Sequence, residues 1–208
     1  MKSNICKLNK DLNCLKAILC EVEKVTAYNG LEKKNALRLR LLSEELCGML
    51  SGLVETFSGE FWAENDGNNY QLHVELKADD MTLDLRDKLV SISTSGKNAA
   101  AKGIMGKIRA VAETMLLTAF DPTLPVPTDE FYDYHGFNMS LGYIDPAYLC
   151  ETGYAYSWSL YNYKTAVEEN RDDAYAELER SIVAKLADDI IVGVCGKNVE
   201  IIVKKSFV

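Results

Sequence analysis

The sequence predicts an α+β fold, a two-layer sandwich with helices on one face of a mixed, mainly antiparallel sheet. Residues 9–54 carry apolar side chains at three- and four-residue steps, the spacing of amphipathic helices. Two later stretches, 59–77 and 190–204, are each divided by a short turn rich in Gly and Asn, which marks hairpins. With 208 residues, 48% of them hydrophobic, the chain can bury one good core, so residues 1–208 are expected to form a single domain.

The first helix spans residues 9–28. Leu12, Leu15, Leu19, Val22 and Val25 form its stripe, and Tyr28-Asn29-Gly30 supplies a C-cap signal. A short link, 31–34, leads into a second amphipathic helix over 37–54. With Glu45 at zero degrees on the wheel, Leu39, Leu42, Leu46, Met49, Leu50 and Leu53 fall between about 40° and 140°. A hairpin follows, with arms 59–65 and 70–77 around Asp66-Gly67-Asn68-Asn69. Alternation in its second arm places His73 toward solvent.

After Asp79-Asp80-Met81-Thr82 the segment 83–93 is ambiguous. Residues 99–119 have helical composition, interrupted by Gly103 and Gly106. Residues 120–163 hold most of the aromatic side chains; Tyr154, Tyr156 and Trp158 alternate with Ala155 and Ser157 as in a strand. A helix is expected from Asp172, with Tyr175, Leu178, Ile182 and Leu186 on one face, before a closing hairpin that turns at Gly196-Lys197-Asn198.

The composition excludes several classes. A net charge of −8 supplies no basic footprint for nucleic acid. No uninterrupted apolar run approaches the roughly 18 residues of a membrane span, and residues 1–7 lack the apolar region of a signal peptide, so a cytosolic protein without membrane contact is expected. The six cysteines show no C-x-x-C pairing and are read as reduced, small hydrophobes. With only His73 and His135 available, no metal site of protein side chains is expected.

Chemistry centres on the acidic pair Glu44 and Glu45. Glu45 sits on the rim of the buried stripe, where partial burial and a neighbouring cleft suit a catalytic acid or base, while Glu44 points away. The alternative is an ordinary solvated pair. Gly48 and Gly52 lie on the Glu45 side of the helix, where with Met49 they either open a groove for a ligand or admit another element at close range. The aromatic run at 131–163 is either core and lid packing or an exposed recognition surface.

The run LNCLKAILCEVEKVTAYNGLEKKNALRLRLLSEELCGMLSGL (12–53), the glycine-bearing helix, and the closing run LERSIVAKLADDIIVGVCGKNVEIIVKK (178–205) together resemble the GHKL ATPase superfamily. The likeness is to its anti-sigma-factor serine kinases, whose domain is also the histidine-kinase ATPase module. The resemblance implies a Bergerat-like sandwich with a large aromatic-rich insertion. That insertion is an enlarged lid at about 88–171 if the helix at 172–187 is the family's phosphate-binding helix, and the stretch 120–171 if the helix at 103–119 is.

The resemblance also implies roles. Glu45 matches the acid of the N-box that activates the attacking group, but Met49 occupies the position of the Asn that holds Mg²⁺, and a thioether is no ligand for that hard cation. Asp79 or Asp80 matches the adenine-binding Asp, without the glycines that follow it in the family. Gly103 and Gly106 match the phosphate-binding glycines, with Lys97, Lys102, Lys107 and Arg109 nearby. The implied function is a degenerate ATPase-like domain that no longer uses Mg-ATP and regulates by binding a protein partner or another ligand. Two alternatives stand: an active ATP-dependent serine/threonine kinase acting on a small partner protein, with Glu45 as base, Asp80 on adenine, and Gly103, Gly106 and Lys107 on phosphates; or a self-associating structural protein, a homodimer.

Overall fold

The computed structural model describes residues 1–8, 14–50, 57–78, 103–120, 137–138, 156–170 and 178–207. The chain opens with a short strand that local pattern does not announce, β1 (Cys6–Leu8). It is followed by α1 (Cys14–Tyr28), which ends as the Tyr28-Asn29-Gly30 signal predicts. Gly30 takes φ 63°, and its N–H and that of Leu31 donate to the carbonyls of Ala27 (3.1 Å) and Thr26 (3.0 Å). These are the paired bonds of a Schellman C-cap, and a side chain at Gly30 would be strained. The second helix is α2 (Lys33–Leu50), starting four residues earlier than its apolar pattern.

Both expected hairpins form: β2 (Phe57–Asp66) with β3 (Asn69–Ala78), and, at the end of the chain, β6 (Asp189–Cys195) with β7 (Asn198–Ser206). Between them lie α3 (Gly103–Phe120), the two-residue β4 (Phe137–Asn138), β5 (Tyr156–Ser159), α4 (Leu160–Asn170) and the short α5 (Ile182–Leu186). The sheet order is β1-β2-β3-β7-β6-β5-β4, and every described strand pair is antiparallel.

Strand alternation sorts the sheet into two faces. Phe61 and Ala63 on β2, Leu72, Val74 and Leu76 on β3, Val199, Ile201 and Val203 on β7, Ile190, Val192 and Val194 on β6, and Trp158 on β5 are all buried beneath the helices. α1 packs on β1 and β2, α3 packs on β6, and α2 lies between α1 and α3. The fold is the predicted α+β sandwich with its helices on one face. Within 88–171, α3 and β5 belong to the sandwich itself: Ile108 and Met115 are fully buried and Trp158 nearly so.

The helix expected from Asp172 does not run as one element. Residues 171–177 lie outside the description, and Ser181 breaks the helical path at φ −78°, ψ 122°, its hydroxyl accepting the N–H of Ala184 as the N-cap of α5. Re-starting the helix rotates its faces, so Ile182 is 56% exposed while Val183 and Ala184 are buried. The common face drawn through Leu178 and Ile182 is therefore corrected.

Gly59 is a close-packed point of the sheet. A Cβ there would lie 2.6 Å from Leu76 Cδ2 and 2.8 Å from the backbone oxygen of Glu75. Gly59→Ala is expected to destabilise the fold by about 1–3 kcal/mol, read as a lower urea midpoint; an unchanged midpoint would show that the strands can yield there.

Glu21 joins the N-terminal segment to α1. Its carboxylate accepts the Lys24 ammonium (2.6 Å) and both the backbone N–H (3.3 Å) and side-chain amide (3.1 Å) of Asn4. The Lys24 hydrogen bond does most to hold the Glu21 carboxyl below its ordinary pKa; burial opposes it and Asn4 assists. A depressed carboxylate stabilises the fold above its unfolded pKa and loses that contribution as pH falls through the folded one. Glu21→Gln should therefore cost about 1–2 kcal/mol at neutral pH. Urea titrations at descending pH should show the gap from wild type closing below about pH 4, and a gap that does not change with pH would refute the assignment.

Candidate functional site

On α2 the acidic pair divides. Glu44 Oε1 meets Arg40 Nε at 3.1 Å, and the same guanidinium reaches Glu23 on α1, so Arg40 is held above its ordinary pKa by Glu44 first and Glu23 second. Glu45 is exposed. One turn later Met49 is only 7% exposed and belongs to the core with Leu46 and Leu50. A Cβ on Gly48 would meet nothing within 4 Å. Gly52, Asp79, Asp80, Lys97 and Lys102 lie outside the described residues.

On α3, Gly103 and Gly106 sit in the first turn, whose inner side is filled by Ile104 and Ile108. Lys107 Nζ donates at 2.8 Å to the hydroxyl of Tyr163 on α4, a side chain 1% exposed and tilted against the Trp158 ring at 5.9 Å. Arg109 Nε bonds the buried Glu113 carboxylate at 2.8 Å. Of the four cations expected near phosphate, the two that are described, Lys107 and Arg109, have partners inside the protein.

A cluster that residue types alone did not single out occupies the open face of the sheet. Trp62 and His73 are register partners and stack at 4.9 Å with planes 6° apart. Lys2 Nζ also lies over the indole ring, 4.2 Å from its centroid, and Glu64 collects the indole N–H at 2.8 Å and the Lys2 ammonium at 3.3 Å. The indole hydrogen bond leads in holding the Glu64 carboxyl below its ordinary pKa. His73 has Glu200 3.4 Å from Nδ1 and Glu64 3.8 Å from Nε2, the latter too long for a hydrogen bond. The expectation that His73 is a solvated strand residue is corrected: it is on the open face, but the indole leaves it 7% exposed. The signal was present, because an Asp66–Asn69 turn places residue 62 opposite residue 73.

Cys6, Cys14, Cys20 and Cys47 are free thiols, whereas Cys195 is disulfide-bonded. That bond corrects the expectation of six reduced cysteines and removes their support for a cytosolic setting. Among the described residues no three of His, Cys, Asp and Glu converge so as to hold a metal ion, and no helix is long and apolar enough to cross a membrane. No family model, curated protein or solved structure matches the chain.

The inward turn of Met49 is directly testable. Met49→Asn would put an amide into the core, and a loss of about 1–3 kcal/mol is expected. Glu45→Gln should stay within about 0.5 kcal/mol of wild type. Chemical denaturation of both variants would check the pair, and a neutral Met49→Asn would mean that position 49 opens to a polar cleft.

Proposed function

We propose that this protein is a degenerate GHKL-like domain, a regulatory module that binds a protein partner and performs no Mg-ATP chemistry. Support for the scaffold comes from element order: two amphipathic helices, a hairpin, a glycine-bearing helix and a terminal hairpin follow one another along the chain, with the helices on one face of the sheet. The lost chemistry is carried by one observation, the burial of Met49 one turn after the exposed Glu45. A magnesium site at that position needs an oxygen ligand facing the same space as the base. Here the side chain is a thioether and faces the core.

The engagement of Lys107 with Tyr163 is consistent with this reading, since a phosphate would have to compete with a buried phenol for that ammonium. Titration calorimetry of the full chain with ATP in the presence and absence of Mg²⁺ should give no magnesium-dependent binding. Micromolar affinity that requires the metal would overturn the proposal and restore the kinase alternative, in which Glu45 acts as base.

A further inference from the structure

Cys6 and Cys14 are brought to the same interface by different means. On β1, Cys6 takes the helix-facing side, since its register partner Phe61 is fully buried. On α1, Cys14 lies one turn before Ile18 and so continues the buried stripe of Ile18, Glu21, Val22 and Val25. Both thiols are half-buried against the core, and α1 packs directly on β1. Asn4 and Glu21 fix the offset between strand and helix through their two hydrogen bonds. From Glu21 back to Cys14 is about 10 Å of helix, and from Asn4 on to Cys6 is about 7 Å of extended chain. Met1 Sδ meets Asn29 Nδ2 at 3.9 Å, so the N-terminal segment runs antiparallel to α1 and the two cysteines differ by only a few ångströms along the interface.

We propose that Cys6 and Cys14 are a disulfide-forming pair that staples the N-terminal strand to α1 by exchange with a small-molecule disulfide of the glutathione type. The Cys14 thiolate attacks one sulfur of the small disulfide; that S–S bond breaks, and the departing small thiolate takes up the proton Cys14 gave up. The Cys6 thiolate then attacks the Cys14 sulfur of the mixed disulfide, releasing the second small thiolate, which takes the proton from Cys6. Two protein thiols are oxidised, and one small disulfide is reduced to two thiols.

Position selects this pair. Cys20 is exposed and off the inward stripe, and Cys47 is an interior thiol that burial pushes up to about 12, with almost no thiolate at neutral pH. Burial first, then the Glu21 carboxylate and the Cys14 thiol, raise Cys6 above its ordinary value, so the closing step quickens as pH rises. The chain already holds oxidised sulfur at Cys195.

The full chain, equilibrated at mildly alkaline pH with oxidised and reduced glutathione, would be digested and mapped without reduction. A Cys6–Cys14 cross-link is expected, reversed by dithiothreitol, lost in Cys6→Ser and Cys14→Ser and undiminished in Cys20→Ser. The oxidised chain should also melt at a higher temperature than the reduced one. A persistent mixed disulfide without cross-link, a cross-link through Cys20 or Cys47, or a Cys6–Cys14 bond that forms only in urea would each overturn the proposal. Should the serine variants fail to fold, the map of the wild-type chain decides alone.

Discussion

Everything in this fold depends on the pairing of β3 with β7. The two hairpins are local structures, each closed by its own turn, but β3 and β7 lie far apart in sequence and pair from Asn69–Ser206 to Lys77–Asn198. That ladder turns two ribbons into one sheet. It also places Leu72 beside Val203, Val74 beside Ile201 and Leu76 beside Val199, which makes the apolar surface continuous from β2 to β6. An isolated two-stranded hairpin is marginal in water, and a wider apolar face is what the helices need in order to pack. Because the ladder is so non-local, its loop-closure entropy must be met before the sheet's core forms, and folding is expected to be slow for the chain's size.

The helical layer follows from that face. α1 covers the N-terminal half of the sheet and α3 the C-terminal half, and α2 reaches the core through Leu39, Leu42, Leu46, Met49 and Leu50 while bridging its neighbours. That bridging position sets the character of the Glu45 region. A helix wedged between two others turns a wide stripe inward, and Met49, about 40° from Glu45 on the wheel, falls inside that stripe. The separation of an exposed carboxylate from a buried thioether one turn away is thus a result of packing, and it is the physical content of the proposed loss of nucleotide chemistry.

Much of this was legible in the residues. The Asp66-Gly67-Asn68-Asn69 turn defined the first hairpin and its register, Tyr28-Asn29-Gly30 ended α1, and the alternation at Tyr156-Ser157-Trp158 marked β5. The inward direction of Met49 was already present in helical periodicity. What was hidden depended on neighbours distant in sequence. Alternation tells which face His73 takes, but its depth depends on Trp62 across the strand pair. Leu178 and Ile182 obey helical spacing, yet a hydrogen bond to the Ser181 hydroxyl outweighed that spacing and re-started the helix. β1 is too short to show a period, and it exists because β2 offers it an edge.

The open face of the sheet carries one arrangement whose cost depends on the medium. Glu60, Glu75 and Glu200 stand directly opposite one another on β2, β3 and β7. Like charges facing across strands at about 5 Å repel, and dissolved ions weaken such repulsion at an accessible surface, where the screening length is about 8–10 Å near physiological strength. Lys7, opposite Glu60 on β1, and His73, beside Glu200, offset part of this repulsion, and counterions gathering along the row ease the rest. Ionic strength acts on this surface as a stabilising solute, so the protein's resistance to unfolding is partly a property of the solution around it.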